Sequence, residues 1–299
     1  MATRIVDAPN VWLITGTSSG FGRRLVTSVL ERGDRVIATA RSHESLEKLI
    51  SICKPNFLDN LRTLQLDVTA GEKVIKEKID EAAAIWGRID VLVNNAGYGL
   101  PGLMEEGGSA RLRLQFETNV FGLLDVTTAT LPYLRKRKDS TVVVIGSRSA
   151  WKTERPGIGP YASSKAAVHA LTETLMVELA PLNVRVLLVA PGAFRTEGIY
   201  GQQFYVDNPI PDYDNIRITS KAQFASVSGT EKGDPAKAME VLVDVVRGEG
   251  VAKGRPWPGY LVLGEDAEAD VRNKSAKVLA VLDEWKDVAR GVNFDTPSA

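Results

Sequence analysis

Cysteine is nearly missing from this chain: among 299 residues only Cys53 carries a thiol. That excludes an intrachain disulfide and points to a reducing compartment, with Cys53 itself read as a small buried apolar residue or a loop thiol. Histidine is scarce too, and His43 and His169 lie far apart with no cysteines clustered beside them, so a zinc or iron site is not expected. Excess charge of either sign is also lacking, because 37 Lys and Arg are matched by 37 Asp and Glu. No overall field draws such a chain to nucleic acid, and any phosphate recognition has to come from local geometry. No run approaches the about 18 apolar residues that cross a bilayer. Met1 to Asn10 has no apolar stretch behind a basic start. The expectation is a cytoplasmic protein without a membrane span.

What is present is an ordinary globular composition, 44% hydrophobic and 25% charged, with strand-like runs recurring between helical stretches. The runs are Val11–Ile14, Arg35–Ala40, Leu61–Leu66, Val91–Asn94, Thr141–Ile145, Val184–Val189 and Gly259–Leu263. Alternation of this kind predicts an α/β fold, a doubly wound parallel sheet (Rossmann fold) of about seven strands with helices on both faces. Val142 to Ile145 and Val184 to Val189 are almost continuous in β-branched residues and leucine, as strands covered on both sides should be. No repeat or clear boundary divides the chain, so residues 1–299 are read as one domain.

Ligands in such sheets bind beyond the carboxyl ends of the strands. The residues there are Thr15-Gly16, Arg41, Asp67-Val68, Asn95-Ala96-Gly97, Gly146-Ser147 and Ala190-Pro191-Gly192, a polar, glycine-rich rim. From 194 to 234 the periodicity fades into Gly, Pro, Tyr, Asp and Asn, which predicts a long loop or lid placed to cover a substrate. Trp151, Phe194, Tyr200, Phe204, Tyr205 and Tyr213 are candidates to line an apolar substrate pocket, core packing or loop anchoring being the alternative for such rings. The basic run Arg135 to Lys138 ends a predicted helix, where cations suit the dipole.

Between the first strand and the following helix lies Thr15-Gly16-Thr17-Ser18-Ser19-Gly20-Phe21-Gly22. Glycines there let the backbone turn tightly and approach a pyrophosphate, held by free amides and the positive helix end; a turn with no ligand is the plainer alternative. At the end of the second strand, where many dinucleotide folds place a carboxylate on the ribose, the run reads Ala38-Thr39-Ala40-Arg41. Unless it is simply a solvated arginine, Arg41 suits a 2′-phosphate, which a guanidinium grips with paired hydrogen bonds, and so favours NADP(H). Further along, Tyr161 and Lys165 stand four residues apart and share a helix face. A phenol with an ordinary pKa of about 10 is a poor proton-transfer group at neutral pH, and a fixed ammonium beside it stabilises the phenolate.

Together these motifs resemble the short-chain dehydrogenase/reductase family in its shorter, single-domain branch. Thr15 to Gly22 is similar to its T-G-x-x-x-G-x-G turn, Asp67 to its adenine-side acidic residue, and Asn94 to Gly97 to its N-N-A-G element. Asn119, Ser147, Tyr161 and Lys165 resemble its catalytic tetrad, and Pro191-Gly192 with Thr196 its nicotinamide-side motif. The likeness is strong over 10–197 and weakens afterwards, although Pro258 to Gly264 looks like the last strand. Two departures stand out: members commonly carry two serines where this chain has Gly146-Ser147, and the step from Ser147 to Tyr161 is one residue longer, which leaves Ser149 as a rival for the serine role.

The resemblance implies hydride transfer between NADP(H) and a ketone, aldehyde or secondary alcohol, most simply as a carbonyl reductase. Tyr161 would exchange the proton, Lys165 would lower the phenol's pKa and bind the nicotinamide ribose, Ser147 would hold the substrate oxygen, and Asn119 would hold a water linked to Lys165. Ser18, Ser19, Phe21, Val68 and the glycines and asparagine named above would cradle the cofactor. Self-association as a homodimer or homotetramer through the helices carrying Asn119 and Tyr161 is also implied. Alternatives on the same scaffold are a non-catalytic NADP-binding redox sensor and an epimerase or dehydratase of nucleotide sugars.

Overall fold

The computed structural model describes residues 9–197 and 202–294. The short β-branched runs form seven parallel strands among these residues: β1 (Val11–Ile14), β2 (Arg35–Ala40), β3 (Leu61–Gln65), β4 (Val91–Asn94), β5 (Ser140–Ile145), β6 (Val184–Pro191) and β7 (Tyr260–Leu263). Their order is β3-β2-β1-β4-β5-β6-β7. Three strands begin and end where the sequence predicts, and the others differ by a residue or two at one end. β6 runs on to Pro191 because β7 lies beside it and pairs Leu263 with Pro191.

Alternate residues of each strand point to opposite faces, and each face has its own apolar layer. Val11 and Leu13 of β1 pack with Ile75 and Ile79 of α3 (Glu72–Trp86), Val126 of α5 (Gly122–Leu134) and Val168 of α6 (Gly159–Leu179). Trp12 and Ile14 face Leu25 and Val29 of α1 (Gly20–Glu31), Leu49 of α2 (His43–Ile52), and Leu242 of α8 (Pro235–Arg247). With both sides sealed, the strand ends are left as the place where polar groups can meet a ligand. No helix among the described residues is long and apolar enough to cross a membrane.

The expected long loop at 194–234 is corrected by the structure, which places helix α7 (Asp214–Val227) inside it. Only Ser220 and Phe224 of α7 are buried, so it lacks the apolar stripe by which a helix is read from sequence. Polar contacts to α4 (Met104–Phe116) hold the segment instead. The fully buried Glu106 carboxylate pairs with Arg217 and accepts a hydrogen bond from the Ile210 N–H at 3.0 Å, and the Tyr213 hydroxyl donates to Glu105 at 2.7 Å. Phe204 and Phe224 meet Leu103 in a small apolar cluster beneath.

Candidate active site

After β1 the chain runs out to β3 on one side of the sheet, then returns to place β4 on the other side of β1, which opens a crevice between the two strands. A single cleft of about 540 Å³ occupies that edge. The turn after β1 is shaped by glycines that need their freedom. Gly16 has φ of +70°, and a Cβ there would lie 2.8 Å from the Ala96 Cα; a Cβ on Gly22 would overlap the Gly16 carbonyl. Thr15 Oγ1 accepts from the Asn95 and Ala96 N–H groups at 3.0 Å each, and Asn95 Nδ2 donates to the Thr15 and Gly16 carbonyls. The two strand ends are thus laced together, and Gly20 and Phe21, which begin α1, line the cleft.

Gly16, Ser18, Ser19, Gly20 and Phe21 line one part of the cleft, with Arg41, Asp67 and Val68 beyond them. Asn95, Ala96, Gly97, Pro191, Gly192 and Thr196 complete the wall, while Gly22 lies behind it as a packing residue of α1. Arg41 is exposed, and β2 ends in buried Ala40 with no carboxylate there. A carboxylate already sits at the start of α1: Glu197 accepts the Gly20 N–H at 2.8 Å and pairs with Arg23 and Arg24. Against the upward push of burial, hydrogen bonds from Arg24 and the Gly20 amide hold its carboxyl down to about 2. The start of α1 thus holds a carboxylate of the chain itself, a negative group of the kind that free amides and the positive helix end favour.

Ser147, Ser149, Tyr161 and Lys165 line the same cleft. Tyr161 and Lys165 come from the first turns of α6, and the Lys165 Nζ lies 5.9 Å from the Tyr161 ring centroid. Lys165 is 5% exposed, and its amine donates to the Ile145 carbonyl at 2.7 Å; burial pushes its pKa down to about 8. Ser147 Oγ accepts the Ser149 N–H at 3.0 Å and so caps the short turn Arg148–Ala150. Asn119 stands in a π-helical turn, Glu117–Phe121, between α4 and α5, the kind of irregularity that often marks functional positions. It is buried behind the cleft wall, donating to the Tyr98 carbonyl and Ser164 Oγ at 3.0 Å each and accepting the Tyr98 N–H at 3.1 Å.

Of the aromatic candidates, Phe194 reaches the cleft, where it packs edge-on against Phe21 with centroids 5.3 Å apart. Trp151 instead packs against His169, Phe204 joins the small cluster, and Tyr205 lies under Arg111 with the guanidinium carbon 4.5 Å from its ring. Tyr213 is held by Glu105, and Tyr200 lies outside the described residues. The cleft is also lined by Arg155, Ile158, Gln202 and Phe224, none of which stood out in the sequence.

The sequence also gave no sign of His169. Its Nε2 accepts the Ser147 N–H at 3.2 Å, while burial, reinforced by the Lys165 ammonium, pushes the imidazole down to about 4, so it is neutral near pH 7. A Cβ on Gly146 would overlap Nε2, which explains glycine in place of a first serine. Beside it, Arg148 is paired with Asp266 and Asp270 at 2.7 and 3.0 Å, and Asp266 also accepts the Ala193 N–H at 2.8 Å. Both carboxylates belong to α9 (Glu265–Ala289), which thereby braces the rim next to Gly192.

A doubly wound sheet with a glycine turn and a Ser-Tyr-Lys cleft is the scaffold of a dehydrogenase. Residues 10–201 match the family model described as short chain dehydrogenase, and the chain belongs to that family, an oxidoreductase of CH–OH and C=O groups. It is 34% identical over 234 residues to the uncharacterised oxidoreductase YusZ of Bacillus subtilis, spanning 77% of this chain and 82% of that one. Its fold is similar to a short-chain dehydrogenase from Streptomyces avermitilis, with TM-score 0.82 and 36% identity over 96% of this chain and all of the other. It also resembles a serine dehydrogenase solved in its closed form with NADP+, with TM-score 0.67 and 27% identity over 85% and 94% of the two chains.

Proposed function

We propose that the chain is an NADP(H)-dependent carbonyl reductase, with residues 1–299 acting as one domain and 194–234 as the cover of its substrate site. The observation that carries this reading is the buried Lys165 ammonium 5.9 Å from the Tyr161 ring, both in the cleft that begins at the glycine-rich start of α1. Arg41, with no carboxylate at Ala40, supports NADP over NAD, and the NADP+-bound serine dehydrogenase neighbour is consistent with a nicotinamide cofactor. When bound, the dinucleotide supplies or takes up the hydride.

The protein's own residues manage the proton and the charge. In reduction Tyr161 Oη gives its proton to the substrate oxygen, Lys165 stabilises the phenolate left behind, and the Ser147 hydroxyl holds that oxygen as it gains charge. Ser147, whose N–H is held by His169 and whose Oγ accepts the Ser149 N–H, is favoured over Ser149 because these two bonds fix its hydroxyl in place. Asn119, bonded to Ser164 and Tyr98, steadies the α6 turn that presents Tyr161 and Lys165. Phe194, Thr196, Gln202 and Phe224 reach the cleft from 194–234, in keeping with a cover. Reduction is the favoured direction where NADP is kept mostly reduced. Exposed Leu114, Phe121 and Val177 on the helices around Asn119 and Tyr161 fit the self-association implied by the family.

A panel of ketones and aldehydes assayed by loss of NADPH absorbance, with product chirality scored, tests the reading. Stereoselective turnover with NADPH favoured over NADH is expected; NADPH binding without turnover of any carbonyl would mean a sensor and not a reductase.

A further inference from the structure

Five cationic side chains line the cleft, Arg41, Arg148, Lys152, Arg155 and Lys165, against one carboxylate, Asp67, among the described residues. Four of the cations are accounted for. Arg148 and Lys152 are paired with Asp266 and Asp270 of α9, and Lys165 donates to the Ile145 carbonyl beside Tyr161. Arg41 follows β2, where the cofactor's ribose is proposed to lie. Arg155 is left over. Among the described residues no carboxylate pairs with it, because the adjacent Glu154 turns to Lys274 and Lys277 while Asp67 accepts from the N–H and hydroxyl of Thr69. Its side chain makes one hydrogen bond there, to the Gln223 carbonyl of α7 at 3.4 Å, well beyond the about 2.8 Å usual for a charged donor. A half-buried guanidinium has five N–H donors, so this one has donors to spare.

We infer that Arg155 selects a carbonyl substrate that also bears a carboxylate, gripping both carboxylate oxygens while Tyr161 meets the carbonyl. This rests on the reductase reading and narrows its substrate. Position separates Arg155 from the ribose site: Arg41 follows β2 and Arg155 follows β5, and those strands lie on opposite sides of the β1–β4 crevice. Arg155 belongs to the segment that leads from β5 to Tyr161. Ile158, in the same turn, and Phe224, next to Gln223 on α7, also line the cleft, and a charge set among apolar walls attracts its opposite more strongly than it does in open water. A neutral group laid over the guanidinium would strip its water and return nothing. One positive charge is cancelled by one carboxylate, whereas a phosphate, with a charge of about −2, would leave an excess.

Matched compounds decide the matter: straight-chain and aryl ketones ending in a carboxylate, each beside its methyl ester, assayed with NADPH at neutral pH. Wild type should favour the acid of a pair by about thirtyfold in kcat/KM, carried mainly by KM, and added salt should shrink the preference. Arg155→Gln keeps a donor for the Gln223 carbonyl yet should erase the preference, and Arg155→Lys, which keeps the charge, should retain part of it. Equal use of acid and ester by the wild type, or a loss in Arg155→Gln that is the same for both, would overturn the inference and leave the reductase standing. So would a ketone ending in a phosphate that is preferred over the acid, or NADPH binding weakened in Arg155→Gln as much as acid binding. Calorimetric titration of acids and esters in the presence of NADP+ reads the site without turnover. Tighter binding of an acid that Arg155→Gln removes, with no carbonyl reduced, would uphold the carboxylate site and remove the reductase; no acid bound more tightly than its ester would overturn the site itself.

Discussion

Replacing Lys165 with methionine should make the cofactor-free protein more stable while abolishing its turnover. In the folded chain Lys165 is 5% exposed, and burial lowers the pKa of its amine from 10.5 to about 8. That drop corresponds to a penalty of about 3 kcal/mol on the charged form. Methionine keeps the stem's packing and removes the charge, but it leaves the Ile145 carbonyl without the donor now at 2.7 Å, at a cost of about 1 kcal/mol. The net gain at pH 7 is about 2 kcal/mol, or roughly 4 °C in melting temperature for a chain of this size. Its pH dependence has a definite sign. Below pH 8 folded and unfolded chains both carry the proton and the full penalty stands; between 8 and 10.5 the unfolded chain holds a proton that the folded one has lost, so wild-type stability rises with pH relative to the variant. Above 10.5 both states are neutral and the gap closes. Urea unfolding of both proteins from pH 7 to 10.5 measures this. A variant less stable than wild type at pH 7, or a gap that does not narrow above pH 8, would show that Lys165 is not held charged against its surroundings.

Gly146→Ala should cost about 2 kcal/mol, since its Cβ overlaps His169 Nε2 in a close-packed place; chemical denaturation measures it, and adding His169→Ala should recover part of the loss. Arg41→Asp should move the ratio of kcat/KM values from NADPH towards NADH by about tenfold or more, and an unchanged ratio would mean that Arg41 lies away from the ribose. Glu106→Ala removes the buried one of the two carboxylates on Arg217, leaving the exposed Asp214, and should loosen 202–227 by about 2 kcal/mol. Hydrogen exchange confined to that segment is the readout, with faster exchange expected in α7 and little change in the sheet.

The fold was legible because a parallel sheet sealed on both faces needs nearly unbroken apolar strands, and Val142 to Ile145 or Val184 to Val189 suit little else. The rim of the cleft was legible for a related reason: glycines at positive φ, paired asparagines and a Tyr-Lys step of four are local patterns with local causes. What escaped depends on partners distant in the chain. α7 is fastened by Glu106 and Arg217, 111 positions apart, and presents no apolar period. Gly146 and His169 explain each other only once β5 and α6 are packed together. Aromatic character alone did not place Trp151, Phe204 or Tyr205, because a ring fills a core, covers a histidine or accepts a guanidinium as readily as it lines a pocket.

The central claim is that the Tyr161 phenol, next to the Lys165 ammonium, delivers the proton in an NADPH-linked carbonyl reduction. Its most direct test is deuterium transfer from NADPH labelled at C4 to a carbonyl substrate, read by mass spectrometry for the wild type and for Tyr161→Phe, with NADPH affinity measured alongside. The wild type should yield an alcohol one mass unit heavier, and Tyr161→Phe should bind NADPH normally yet lose product formation by a factor of about a thousand. Labelled alcohol formed by Tyr161→Phe at a near-normal rate would contradict the account.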